Sequence, residues 1–464
     1  MPRRPFAFRN SGGADWTSLL TIGMLAFALV LGGGGSPAPF QELVVECVAA
    51  GVAALWVFTS SAAVSIRRIP QTAWLIAIVV VGIPLLQLIP LPPALWQALP
   101  GREIAREALG LIGQDATWRA WSLAPNRTLS ALLSLGPPLL LLLLTAALEQ
   151  RARLQLTATV ALVGLISIVL GALQLSADES SALRFYGVTT PQLTAFQANH
   201  NSTADLLLIA LVAASVALRA AIVQKKLPSN RAVVLAIAGG TNVVFGLGIV
   251  LTASRMGIFL LPVALLASMW ILRPWLSVSR RFLTGSAVAL AGLLVLGLLL
   301  ARYNPALHAV AARFDFSEEL RPQLWQDGFF VARQHFPFGV GMGNFMPAMI
   351  ADERLVAVRP FLPNRAHNDF IELAAEAGMF GLAGLAAIAW LLGRATWSAF
   401  KRLDRGALGT TIFASSALLI LALHSVVDYP LRSMSLACLA ALCAGLLMAP
   451  KAGTDDTTLA GDTR

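Results

Sequence analysis

Residues 155–175 read QLTATVALVGLISIVLGALQL, a run of 21 residues without a charged side chain. An α-helix rises ~1.5 Å per residue, so a helix of this length crosses the ~30 Å hydrocarbon core of a bilayer. That core offers no water to backbone N–H and C=O groups, so a crossing chain must satisfy them within a helix. The stretch therefore predicts a transmembrane helix, and similar runs recur along the whole chain.

The composition agrees with repeated membrane crossing. Of the 464 residues, 57% are hydrophobic and only 12% are charged, and the mean hydropathy is +0.73. A soluble domain carries about 25% charged residues, so this class is excluded. The alternating ten-residue strands of outer-membrane barrels are absent too. We predict an all-α polytopic membrane protein with about 12 helices, near residues 16–34, 43–64, 73–91, 129–147, 155–175, 203–223, 232–252, 256–273, 283–301, 378–397, 409–427 and 433–449.

The basic residues predict how the chain is oriented. Arg67-Arg68, Lys225-Lys226 and Lys401-Arg402 fall in short loops on the same side of the predicted helices. Short loops rich in Lys and Arg stay cytoplasmic, so both termini are predicted to be cytoplasmic in a bacterial inner membrane. The net charge of +10 then reflects topology and anionic lipid, and no nucleic-acid partner is expected.

The predicted organisation has four parts. Residues 1–301 contain helices 1–9, with periplasmic loops at about 92–128 and 176–202. Residues 302–377 form a large, partly helical periplasmic loop. Residues 378–449 contain helices 10–12, and residues 450–464 form a disordered cytoplasmic tail. The positive charges of the three long loops are all arginines. Two explanations stay open: bidentate contact with phosphate oxygens, or a genome that favours Arg codons.

The densest group of polar residues ends the largest loop. Asn368 is a good N-cap for an amphipathic helix, on which Glu372 and Glu376 would share one face. His367 stands just before this helix. A histidine near pH 7 can accept a proton from a substrate hydroxyl, although it can equally serve only to hold the loop by hydrogen bonds.

Other candidates stand at helix ends. Arg255 at a membrane surface is either an anion ligand or a snorkelling arginine. Asn199 and Asn201 either cap a helix or touch a ligand. His424 and Asp428, four residues apart, are either functional groups or a structural pair, because ionisable groups at such depth are functional candidates.

No cofactor is indicated. The five histidines, at positions 200, 308, 335, 367 and 424, do not form an HExxH motif, so no metal site is predicted. The glycine-rich turn at residues 339–343 lacks the GxxxxGK[ST] context of a nucleotide-binding loop.

One motif resembles the O-antigen ligase and O-antigen polymerase superfamily of bacterial envelopes. His367-Asn368, nine residues, and then Gly378-x-x-Gly381 are similar to the active-site loop of the ligases. Leu382 stands where that family has Thr or Val. Weaker similarities between about residues 195 and 432 are Asn199-x-Asn201, Ser254-Arg255, Arg321-x-x-x-Trp325 with Gly339-x-Gly-x-Gly343, and His424-x-x-x-Asp428.

The resemblance implies a GT-C-like glycosyltransferase that needs no metal or other cofactor. The donor would be a glycan on undecaprenyl diphosphate, and the acceptor a sugar hydroxyl of lipid A core or of another glycan. His367 would be the general base, and arginines would stabilise the leaving diphosphate. The implied arginines are Arg255 and Arg321, with Arg184 and Arg365 as secondary ones; further candidates are Asn368, Asn199, Asn201, Trp325, His424 and Asp428.

Two alternatives stay open. A polymerase of the same superfamily shares the His-Asn and Gly-x-x-Gly pattern and would extend a lipid-linked glycan or exopolysaccharide. A lipid-linked glycan flippase also commonly has twelve helices. A transporter is expected to place charges within its helices and to show two related halves, whereas this chain concentrates polar residues in loops.

Overall fold

The computed structural model describes residues 16–35, 39–59, 62–178, 181–187, 190–276, 320–352, 365–402 and 407–450. The helices are α1 (Trp16–Leu31), α2 (Pro39–Val57), α3 (Ala62–Arg68), α4 (Gln71–Leu88), α5 (Pro93–Trp96), α6 (Glu103–Leu111), α7 (Pro125–Leu133), α8 (Gly136–Ala147), α9 (Gln150–Ser176), α10 (His200–Val223), α11 (Arg231–Leu251), α12 (Arg255–Leu272), α13 (Arg321–Gln334), α14 (Phe345–Asp352), α15 (Asp369–Arg402), α16 (Leu408–His424) and α17 (Met434–Leu447). The strands of the described part are β1 (Pro90–Leu91) and β2 (Arg119–Ala120), which pair antiparallel.

The predicted fold class is confirmed. Eight helical segments of the described residues are long and apolar enough to cross a membrane, and three shorter apolar helices accompany them. Most predicted helices have counterparts within a few residues, as for α11, predicted at 232–252. The second, predicted at 43–64, ends earlier, at Val57, and α3 begins at Ala62. The ninth predicted helix, 283–301, lies outside the described residues, as does the predicted tail from residue 451.

One predicted helix is broken and another is extended. The helix predicted at 129–147 is two helices, α7 and α8, because Pro137 and Pro138 have no N–H to continue α7 and instead occupy the first turn of α8. Helix α15 runs from Asp369 to Arg402, with non-helical φ and ψ at Gly378 inside it. The amphipathic helix predicted from Asn368 corresponds to its part before Gly378, and the helix predicted at 378–397 corresponds to the part after it, which continues to Arg402.

Helix α10 lies at the centre of the bundle. Residues 201–213 are all buried, and from residue 206 to residue 213 they are all apolar, as expected for a helix segment that is surrounded by other helices. Neighbouring α9, α11, α12 and α16 pack around it. Small residues allow close approach: a Cβ added to Gly257 at the start of α12 would lie 2.6 Å from Cβ of Ala204 on α10. The first turns of α10 and α12 are therefore adjacent.

Helix α15 bends at Gly378, whose φ of 55° and ψ of −142° interrupt the helical geometry. The bend leaves carbonyl oxygens of the preceding turn without helical partners. The glycine-rich turn supplies them: Val340 N donates to Ala375 O at 3.0 Å, and Gly341 N donates to Glu376 O at 2.8 Å. Residues 339–343 thus complete the hydrogen bonding of α15, which explains why this turn is rich in glycine.

Arg153 joins the C-terminal ends of two helices, α8 and α17. Its guanidinium is 6% exposed and donates to backbone oxygens at the C-terminal ends of α8 and α17. A cation is stabilising there because helix C-termini carry partial negative charge.

We expect Arg153→Ala to lower the free energy of unfolding by about 3 kcal/mol, since several buried carbonyls lose their donor. Thermal unfolding of the purified protein measures this, with the exposed Arg151→Ala as matched control. Equal melting of both variants would contradict the assignment.

Candidate active site

The His367 loop, residues 365–367, leads into α15 and is held from three directions. Ala366 N donates to Glu372 Oε1 at 2.9 Å, and Trp325 Nε1 on α13 donates to His367 O at 3.1 Å. Asn368 caps α15, since its Oδ1 accepts from two following backbone amides at 3.0 and 3.1 Å. His367 itself has a φ of 51°, a left-handed conformation that is rare for a residue with a side chain. The loop geometry is therefore imposed by its surroundings.

His367 is paired with Asp428. Its Nδ1 lies 3.1 Å from Asp428 Oδ1, and the side chains are 29% and 4% exposed. Burial opposes ionisation of Asp428, yet the hydrogen bond and charge of His367, with the charges of His424 and Arg321, lower its pKa below the usual value. The ionised carboxylate only accepts, so Nδ1 carries the hydrogen. In neutral His367, Nε2 then holds a lone pair, and no described residue hydrogen-bonds to it.

Tyr429 forms one side of the site. Its ring meets the His367 ring edge-on with centroids 4.9 Å apart, and the Arg365 guanidinium lies 5.9 Å from the Tyr429 centroid. Burial, followed by the charge of Asp428, raises the pKa of Tyr429 to about 12, so it is a neutral phenol at pH 7. Tyr429 was not among the residues predicted from the sequence; its position beside Asp428 was the available signal.

Asp428 is also held from the bundle side. Asn201 Nδ2 on α10 donates to Asp428 Oδ2. His424 Nε2 lies 4.0 Å from the same oxygen, and His424 Nδ1 lies 2.6 Å from Asp205 Oδ1. Asn201 and the His424–Asp428 pair, which were predicted as candidates separate from His367, are thus brought together with His367 by helices far apart in sequence.

Arg432 fixes the start of α15 against the turn that follows Asp428. It binds three carboxylates on the first two turns of α15: Glu376 Oε2 at 2.8 Å, Glu372 Oε2 at 3.5 Å and Asp369 Oδ1 at 3.6 Å. The shared face predicted for Glu372 and Glu376 is confirmed. Because His367 precedes α15 and Asp428 precedes Arg432 closely, this cluster sets the distance between them.

The four predicted arginines have different surroundings. Arg321, the first residue of α13, is close enough to interact electrostatically with Asp428. Arg255 is half-buried at the start of α12, where Ser254 Oγ caps the helix. Arg365 is paired with Glu372 at 3.2 Å. Arg184 donates to backbone oxygens at the end of α9, and no contact among the described residues joins it to His367.

The remaining predicted residues have structural contacts near the site. Asn199 caps α10 by accepting from Asn201 N at 2.8 Å, and its side chain is close enough to Tyr429 to interact with the phenol. Asn368 Nδ2 donates to Val426 O at 2.8 Å. In the described part of the chain, no three His, Cys, Asp or Glu side chains are arranged to hold a metal ion.

The fold and the site define a polytopic helical membrane protein with a polar His–Asp centre at one end of its bundle. Residues 240–386 match the family model described as O-Antigen ligase, so the chain carries that family's region and the resemblance is confirmed. The match supports a glycosyltransferase-like enzyme of the O-antigen ligase or polymerase type. It includes Arg255, Arg321 and His367, whereas Asn201 and Asp428 lie outside it. No curated protein matches the chain.

Proposed function

We propose that this protein transfers a polysaccharide from undecaprenyl diphosphate to an acceptor sugar hydroxyl, as in O-antigen ligation to lipid A core. The observation that carries the proposal is the environment of His367: its side chain is partly exposed and is oriented through Nδ1 by an ionised Asp428, which leaves Nε2 to accept a proton. The family match over the stretch containing His367 supports the same type of reaction.

The reaction is a direct displacement. The acceptor hydroxyl oxygen attacks the anomeric carbon while Nε2 of His367 takes its proton, and the bond from that carbon to the diphosphate oxygen breaks. The electron pair leaves with undecaprenyl diphosphate, so the configuration at the anomeric carbon inverts. Asp428 stabilises the imidazolium formed on His367, which afterwards returns its proton to solvent.

Arginines stabilise the leaving group. Negative charge accumulates on the bridging phosphate oxygen as it departs, and fixed guanidinium groups lower the energy of that state. Arg321 is the first candidate because its charge acts on Asp428 and thus lies near the reacting atoms. Arg255 is the second, at the start of a helix packed against the first turn of α10. The donor is already a diphosphate, so no metal is required to activate it.

The distribution of basic residues supports a periplasmic site in the inner membrane. The site lies at the starts of α10, α12 and α15. The opposite ends of the bundle carry the basic residues of the short connections: Arg67, Arg68, Arg151, Arg153, Lys225, Lys226, Arg231, Lys401 and Arg402. Connections rich in Lys and Arg remain in the cytoplasm. The end of the bundle that carries His367 would therefore face the periplasm.

Removing either arginine tests the electrostatic role. We expect Arg255→Ala and Arg321→Ala each to reduce transfer about 100-fold, equivalent to about 3 kcal/mol of transition-state stabilisation, while the protein still inserts into the membrane. The matched control is Arg106→Ala, which removes an exposed positive charge on α6. Initial rates with purified protein measure the effect. Normal turnover in one variant would remove that arginine from the mechanism.

A gene deletion tests the function as a whole. Envelope glycolipids of the deletion strain are separated by length, and their attachment to lipid A core or undecaprenyl diphosphate is determined. Long chains stranded on undecaprenyl diphosphate, with lipid A core left bare, are the expected result. Chains halted at one repeat would identify a polymerase. Lipid-linked glycan flux across vesicles without glycan transfer would identify a transporter and refute the proposal.

A further inference from the structure

A second histidine–carboxylate pair lies behind the site. Asp205 on α10 and His424 at the end of α16 are both 1% exposed, and their contact is 2.6 Å long. Burying two ionisable groups among membrane helices is costly, and a hydrophobic pair of similar volume would pack as well. Asp205 Oδ2 has no hydrogen-bond partner among the described residues, which adds to the cost. Simple packing therefore does not account for the pair.

The Asp205–His424 pair extends the row of contacts that joins Asp428 to His367. Nδ1 of His424 faces Asp205, and Nε2 of His424 faces Asp428 Oδ2 at 4.0 Å. The other oxygen of Asp428 meets His367 Nδ1 at 3.1 Å. Carboxylates on the sides of both ring nitrogens favour the imidazolium form of His424. Arg321 is the further charge acting on His424 and Asp428.

We propose that Asp205 and His424 are positioning residues, which hold the Asp428 carboxylate against His367 and fix the charge that His367 experiences. The carboxylate of Asp205 balances the imidazolium of His424, so the charge of Asp428 remains available to His367. This inference rests on the proposed role of His367, but its test does not require substrate.

Asp205→Asn isolates the effect because it keeps the shape and an oxygen that accepts from Nδ1 of His424. Without the Asp205 carboxylate, the positive charge of His424 is balanced by Asp428 alone. Less of the negative charge of Asp428 then acts on His367, which weakens the stabilisation of protonated His367. The pH at which His367 is half protonated should therefore fall.

The measurement is the pH dependence of carbethoxylation of His367 by diethyl pyrocarbonate, which attacks neutral imidazole, read by mass spectrometry of the His367 peptide. The full-length protein is used without donor or acceptor. We expect Asp205→Asn to lower the midpoint by on the order of one pH unit. Asp428→Asn, which removes the carboxylate directly, gives the largest shift to be expected.

Ser215→Ala is the matched control. Ser215 is on the same helix as Asp205, α10, but away from the site, and the substitution removes its buried hydrogen bond of 2.6 Å to Ser268 on α12. A merely structural Asp205 predicts that both variants lower the melting temperature and leave the midpoint unchanged, and this result would overturn the proposal. If Asp205→Asn is not recovered folded, Asp205→Ser makes the same test. Absence of transfer by the wild type would refute the proposed function, whereas the midpoint decides this inference separately.

Discussion

Replacing His367 with alanine should abolish measurable glycan transfer while the protein accumulates normally in the membrane. The expected loss is about a thousandfold in kcat, the contribution typical of a general base. His367 lies in a loop whose backbone is held by Glu372 and Trp325, so its side chain is not needed to maintain the loop. The measurement is the initial rate with purified protein, a lipid-diphosphate-linked glycan and lipid A core.

His367→Asn separates the base from the hydrogen bond. Asparagine tolerates the φ of 51° at this position better than most residues. It also has an N–H that can donate to Asp428, but it has no group that accepts a proton at neutral pH. We expect His367→Asn to be as inactive as the alanine variant. Recovery of the wild-type rate would show that His367 only holds the loop, and another base would be required.

Replacing Gly378 should disrupt folding more than any other glycine substitution in α15. A Cβ at this position would lie 2.1 Å from Pro337 O, and the φ of 55° with ψ of −142° is almost restricted to glycine. Relieving the contact would separate the glycine-rich turn from α15 and expose its unpaired carbonyls. We expect Gly378→Ala to cost at least about 3 kcal/mol and to reduce the folded protein recovered from membranes.

Gly393→Ala is the control for this experiment. Gly393 lies on the same helix, and a Cβ added there would meet nothing within 4 Å. Alanine favours helix more than glycine does, so this variant should be recovered at or above the wild-type level. Size-exclusion chromatography and thermal unfolding distinguish the two variants. Equal stability would mean that the bend at Gly378 is not required by packing.

The transmembrane helices were predictable because hydrophobicity over about 20 residues is a local property. The position of α10 in the bundle interior agrees with the uncharged, mainly apolar run at its residues 206–218. The bend that joins the two parts of α15 at Gly378 was not predictable, because such a bend is tolerated only when a distant segment hydrogen-bonds the interrupted turn. That segment, residues 339–343, was recognised as glycine-rich, but its contact with α15 depends on tertiary packing.

The site was predictable only as separate candidates. Spacing of four residues suggested His424 with Asp428, yet their principal partners are Asp205 and His367, at sequence separations of 219 and 61 residues. Arg184 had the residue type expected for phosphate, but it caps the end of α9. Residue type limits the chemistry that a side chain can perform, whereas partners depend on which helix ends meet. The catalytic roles themselves remain predictions.

The division of the site between the matched region and the rest of the chain limits how the protein can be re-engineered. Exchanging residues 240–386 between relatives would transfer His367 without the Asp428 that orients it. Chimeras designed to change donor or acceptor preference would need to carry the segments around residues 199–205 and 424–432 together with that region. Selection would act on the same unit, so compensating substitutions are expected to arise in these three segments jointly.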